Sequence, residues 1–371
     1  MSNTRWLAAG ILVLAAACGS NSDSEFADAT PDVSGMQLEI TGNSAEGVVR
    51  DDGSDSIAQD VTLSTPPEYL AKTRAALKEL NEDVKKALTP IAALVIETAK
   101  SDAKVGDARV FGPKDQGNAN WKLTVKKKAD KKFGFKLEAR PLGSTDDSAF
   151  KTVAVGELDR AAETRPHRGK GIIGLDLDAY ASIDTSSKAT GKLLAAFAHA
   201  GEGKVILYRL KGFTPDSSTH AAVSGTIYGH KTPSGEAVVR FASLSDVVTG
   251  SALELMLGHL HWMPGIGGRA DLLMPNKGIN GQPPNGDVPA DKFYIAKSCW
   301  NGQEVESFKA VGTCTVGQGP SSCVFDTAGS ASACTASGKD PQESDSKDDN
   351  STESGAPAQL PGDAPSDLPT F

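Results

Sequence analysis

Trp121-Lys122-Leu123-Thr124-Val125 and Phe133-Gly134-Phe135-Lys136-Leu137 alternate large apolar residues with polar or small ones in steps of two. Period two marks a strand with one buried face, so the pair reads as two half-buried strands. The segment between them, 126–132, reads as a lysine-rich hairpin end. The same pattern returns downstream at 152–155, 172–177, 193–198, 204–211, 222–230, 236–242, 253–262, 269–274 and 293–298. Turn residues separate these runs: Gly201-Glu202-Gly203, Pro233-Ser234-Gly235, Pro264-Gly265 and a Gly/Pro/Asn-rich stretch over 275–289. Short strands at fairly even spacing predict a large antiparallel meander, sandwich or partly closed barrel, and argue against a parallel sheet.

One helix is expected upstream of the strands. Thr65-Pro66-Pro67-Glu68 supplies a capping hydroxyl, prolines for the first turn and an acid near the positive helix end. Leu70, Leu77, Leu80, Val84 and Leu88 then recur at three, four or seven residues and make one apolar stripe. Pro90 is expected to kink or restart the helix, and the apolar run 91–99 to be buried. The fold class is therefore mainly β (α+β), with an N-terminal amphipathic helix packed on the sheet.

Charge separates this core from its flanks. Residues 19–64 hold ten acids and one base, and residues 335–371 hold eight acids and two lysines. The whole chain is −9, so with Arg5 in the leader the core, 65–334, is left with +5. Segments so rich in Ser, Asp, Gly and Pro bury too little apolar surface to offset chain entropy. Residues 18–64 are thus expected to be a disordered acidic tether with a short ordered patch at 36–40, and 335–371 a disordered acidic tail. A flexible tether of that length averages about 5–6 Å × √n end to end, tens of Å. Pro361, Pro365 and Pro369 argue against a barrel strand ending at Phe371.

The first residues hold one positive charge, Arg5, and then an apolar run over 7–17. That run is short of the roughly 20 residues a membrane helix needs and fits a signal-peptide core. It ends Leu14-Ala15-Ala16-Ala17-Cys18-Gly19, which resembles bacterial lipoprotein signals, although Leu14 stands four residues before the cysteine where three is commoner. The resemblance implies a signal peptide over 1–17, lipidation of Cys18 and a membrane-anchored place in the cell envelope. Gly19, in place of Asp, implies the outer membrane.

Cys299, Cys314, Cys323 and Cys334 remain in the mature chain. Export makes disulfides the default, and spacing leaves all three connectivities open. Gaps of 14, 8 and 10 residues are too wide for the close cysteine pairs of structural zinc. Ser298-Cys299-Trp300 and Ser322-Cys323-Val324-Phe325 resemble the C-terminal part of uncharacterised β-rich lipoproteins of the kind common in myxobacteria, as does the strand pattern of 121–140 and 168–178. The resemblance implies a Cys299–Cys323 bridge, leaving Cys314–Cys334, and implies no activity.

Other motifs are weaker. Gly169-Lys170-Gly171-Ile172-Ile173-Gly174 matches a dinucleotide fingerprint, but no strand precedes it and a strand pattern continues after it, so the glycines read as relief of crowding. His259 and His261 share one face of a strand and are a candidate metal pair that lacks a third ligand nearby. Ser-x-x-Lys at 101–104, 148–151 and 344–347 has none of the companion elements of a penicillin-recognising enzyme, and no G-x-S-x-G, Walker or H-E-x-x-H sequence occurs. Asp51–Asp55 and Asp176–Asp178 lack the order of a calcium loop. Seven lysines lie between Lys122 and Lys136. Lys126, Lys127, Lys128, Lys131 and Lys132 are candidates for contact with an anionic surface, or a charged edge that blocks aggregation.

The expectation is a non-catalytic envelope module with no cofactor, held to a membrane by its N-terminal lipid. Its partner would be an envelope protein, a glycan or a lipid, and not nucleic acid. The alternatives are an enzyme whose site is assembled from scattered strands, and a carrier with a deep apolar cavity.

Overall fold

The computed structural model describes residues 24–30, 33–40, 61–96, 102–160, 169–200, 203–216, 222–245, 252–278, 281–318, 322–332 and 334. Cys18, the leader, residues 41–60 and the tail beyond Cys334 lie outside these residues.

Fifteen strands form one antiparallel sheet in strict chain order. They are β1 Ala103–Val105, β2 Ala108–Gln116, β3 Ala119–Ala129, β4 Lys132–Pro141, β5 Lys151–Asp159, β6 Lys170–Asp176, β7 Thr190–Ala200 and β8 Gly203–Thr214. The order continues with β9 Val223–Lys231, β10 Ala237–Ser245, β11 Glu254–Met263, β12 Gly267–Met274, β13 Lys292–Asn301, β14 Glu306–Thr315 and β15 Val324–Gly329. The sheet is an unclosed meander with β1 and β15 as its edges. Burial alternates as the sequence pattern requires: Trp121, Leu123 and Val125 of β3 are buried, while Lys122 and Thr124 between them are partly exposed.

Four short helical pieces and one long helix complete the described residues: α1 Ser24–Asp28, 3-10 turns at Val33–Met36 and Asp147–Ala149, α2 Glu68–Ile96 and α3 Leu177–Ala181. α2 runs through Pro90 without a break. The carbonyl that Pro90 leaves without an amide donor belongs to the exposed Lys86, and Thr89 Oγ1 donates to the adjacent Lys85 carbonyl at 2.7 Å. α3 replaces the end of the strand expected over 172–177, because Asp176 Oδ1 caps it by accepting from Ala179 N at 2.9 Å.

The position of α2 shows that the sheet is bent. Near its start Glu68 reaches Lys309 of β14, and near its end Leu94 lies against Gly112 of β2. β2 and β14 are twelve strand spacings apart, about 58 Å if the sheet were flat. From Glu68 to Leu94 the helix spans only about 39 Å. The sheet therefore wraps around the helix. Leu70, Leu77, Leu80, Val84, Leu88 and Ile91 of α2 join inner-face side chains of β2 through β14 in one apolar core.

The segment expected to be a tether is partly core. Phe26, Ala29, Met36, Leu38 and Ile40 are buried in the same cluster as α2 and the strands. Residues 33–40 lie between β7–β9 and α2. On the sheet side, Tyr208 Oη donates to the Met36 carbonyl and Lys204 Nζ to the Gln37 carbonyl. Leu38 fills the space over Gly229, where a Cβ would sit 2.0 Å from Leu38 Cδ2. On the helix side, Asn81 completes both backbone polar groups of Leu38, accepting from its N–H at 3.1 Å and donating to its carbonyl at 2.9 Å. Average composition hides this packing: among the described residues Glu39 is exposed and Glu25 and Asp28 are half-buried, while the few large apolar residues carry the contact.

Candidate membrane-facing surface

The lysine hairpin and the start of the described chain come together. The turn from β3 to β4 places Lys131 in the left-handed region, φ 56°, and leaves Lys126, Lys128, Lys131 and Lys132 exposed. α1 is clasped against the base of this hairpin. Phe26 packs edge-on against Phe133 at 5.6 Å between ring centroids, and the Arg109 guanidinium lies over the Phe26 ring at 4.5 Å. Glu25 pairs with Lys127 at 2.7 Å. Lys128 pairs with Glu157 at 2.6 Å and Lys132 with Asp159 at 3.5 Å. These are solvent-exposed pairs of the kind that contribute little to stability.

The four cysteines form two disulfides, Cys299–Cys334 and Cys314–Cys323. This corrects the Cys299–Cys323 and Cys314–Cys334 pairing implied by the resemblance, and strand register gives the reason. Thr313 of β14 pairs with Val324 of β15, which sets Cys314 beside Cys323 at a Cα separation of 4.0 Å. Cys299 instead pairs with Phe308, six residues from Cys314 along β14 and so about 20 Å away. No disulfide reaches across that gap, since the Cα atoms must approach within about 7 Å. After β15 the chain turns back over Phe308, with Ser330 N donating to the Ser307 carbonyl at 3.2 Å, and this brings Cys334 to Cys299. Non-reducing peptide mapping should yield 299–334 and 314–323 pairs; a 299–323 peptide would contradict the register. Loop closure over 35 residues makes Cys334→Ser cost about 4 kcal/mol.

His259 and His261 do share a face, the outer one, since Leu260 and Trp262 between and beside them point into the core. The structure does not bring a third ligand to them. His261 Nε2 shares a 2.7 Å hydrogen bond with Glu236, while His259 lies between Arg240 of β10 and Asp271 of β12. Among the described residues no group of three or more His, Cys, Asp and Glu could hold a metal ion. Of the other histidines, His199 faces inward and shares a 3.2 Å hydrogen bond with the Gly169 carbonyl, whereas His230 is on the outer face. Burial, and then the Arg240 charge, hold the His259 imidazole below its ordinary value of 6.5. In the pH range between the folded and unfolded values, the unfolded chain binds more protons. This site's contribution is therefore present above pH 6.5 and is lost as pH falls through the folded value. Urea midpoints measured on both sides of that range should fall on acidification, and His259→Asn should flatten the fall; an unchanged slope would contradict the assignment.

The remaining motifs are absorbed by the fold. Gly169, Gly171 and Gly174 belong to or adjoin β6, and a Cβ at Gly171 would lie 2.5 Å from the Glu157 carbonyl oxygen. Asp176 caps α3 and Asp178 accepts from Gly191 N at 2.8 Å. Ser148 bonds Asp146, and Lys151 donates to Ser182. The Asp51–Asp55 run and Ser344–Lys347 lie outside the described residues.

One group of charges escaped the sequence reading. Arg74 of α2 binds Glu304 in the β13–β14 turn through two hydrogen bonds, 2.6 and 2.8 Å. Arg74 also donates to the Ile40 carbonyl at 3.2 Å and lies 5.6 Å from the Trp262 ring centroid. Glu306 accepts from Ser64 N at 2.9 Å and from Ser298 Oγ at 2.5 Å, and Lys309 Nζ sits 2.5 Å from Glu68. Together these contacts fasten the N-terminal end of α2 to β13 and β14. A signal existed in Phe308-Lys309-Ala310-Val311, where a lysine interrupts an apolar run, but its partner lies 241 residues away.

Comparison with known proteins finds no match to this chain among family models, curated proteins or solved structures. No helix of the described residues is long and apolar enough to cross a membrane.

Proposed function

We propose that the chain is a lipid-anchored envelope protein that acts by binding rather than by catalysis, with Cys18 as its anchor and the outer membrane as its destination. What supports the binding reading is how the interior charges are used. Arg74 with Glu304, Lys309 with Glu68, and Glu306 with Ser64 and Ser298 each close on a partner that joins one structural element to another. Groups committed in this way position the fold and leave the outer face, the turns and the two edges for recognition. The carrier alternative loses its support along β7–β9, where the inner face is already covered by residues 33–40 and α2. Radiolabelled palmitate should be incorporated into the wild type and not into Cys18→Ala, and the variant should move from the membrane to the soluble fraction. Equal release of both, with no label, would overturn the anchor.

A further inference from the structure

We infer that the β3–β4 hairpin is the surface that meets the membrane, with its lysines contacting the phosphates of anionic lipid headgroups. The inference rests on the anchoring of Cys18 proposed above. The juxtaposition that carries it is the packing of α1 against the base of that hairpin, so close in sequence to the anchor.

From Cys18 to Ser24 there are six residue steps, at most about 20–22 Å when fully extended. Ser24 begins α1, and α1 is fixed to the hairpin base by Phe26 on Phe133, Arg109 on Phe26 and Glu25 on Lys127. Length decides whether the lysines matter. Surface charge is screened over about 8–10 Å at physiological ionic strength. A free tether of 46 residues would hold the core tens of Å away on average, beyond that range. A leash of six steps brings this end of the sheet to the headgroups.

The hairpin is built for such a contact. Lys126 and Lys131 are exposed and make no ion pair among the described residues. Lys127, Lys128 and Lys132 face Glu25, Glu157 and Asp159, and Asp130 is the one acid in the turn itself. The three pairs are exposed and weak enough to exchange for lipid phosphates. Each lysine that reaches an anionic leaflet favours the contact by about fivefold.

The test uses the full lipidated protein on vesicles of phosphatidylcholine alone and on vesicles containing phosphatidylglycerol. Amine acylation, read by mass spectrometry, reports the hairpin lysines against Lys188 and Lys277, which are exposed at the opposite ends of the strands. The hairpin lysines should react about fivefold or more slowly on the anionic vesicles, with the difference removed by high salt and Lys188 and Lys277 unchanged. A Lys126→Glu/Lys131→Glu variant should stay attached and lose the protection. Attachment with equal hairpin reactivity on both vesicles would overturn this inference alone. Failure to attach to either vesicle would overturn the anchor, and the inference with it.

Discussion

Replacing Arg74 with methionine is expected to destabilise the protein by about 3–5 kcal/mol. The Glu304 side chain is only 3% exposed and relies on the guanidinium for two short hydrogen bonds. Methionine keeps the packing against Trp262 but leaves a buried carboxylate with no compensating charge. The same change frees the Ile40 carbonyl, an acceptor that Arg74 Nε now satisfies. Denaturant midpoints should show the loss. Adding Glu304→Gln should restore much of it, because a neutral amide costs far less to bury than a lone charge. If the double variant were as unstable as the single one, the loss would come from packing and not from the broken pair.

Leu38→Ala is expected to cost about 2–5 kcal/mol. Leu38 is fully buried between Gly229 and α2, and its removal would leave a hole that Gly229, having no side chain, cannot fill. In a free tether the same substitution would change nothing, since surface changes away from packed features stay within about 0.5 kcal/mol. The predicted effect is therefore several times what the alternative allows. A full-length variant with an unchanged urea midpoint would remove residues 33–40 from the core.

The two cases also show how much of the fold is legible in the sequence. The period-two runs around Trp121 and Phe135 are local facts, and with evenly spaced turns they are enough for an antiparallel meander. The stripe from Leu70 to Leu88 is equally local, and α2 follows it. β2 was harder to see: Gly112 and Pro113 interrupt its alternation, and the register shifts between Phe111 and Lys114. β14 and β15 lay in a Gly- and Ser-rich stretch whose strand character depends on the pairing itself. The burial of 33–40 depends on partners far along the chain, with Asn81 43 residues and Tyr208 172 residues from what they bind. The disulfides follow the same logic, because only the β13–β14–β15 register tells which cysteines are neighbours. At the proposed membrane-facing surface, the lysines and Cys18 are each visible in the sequence. The packing of Phe26 on Phe133, on which the proposal depends, is not.

The central claim is that residues 33–40 belong to the core. Hydrogen exchange of the Leu38 amide in the full-length protein tests it most directly. That N–H donates to Asn81 Oδ1 at 3.1 Å beneath α2, so it should exchange as slowly as the amides in the middle of β3, through global or near-global opening. Exchange at the rate of an unprotected peptide, while β3 remains protected, would contradict the account.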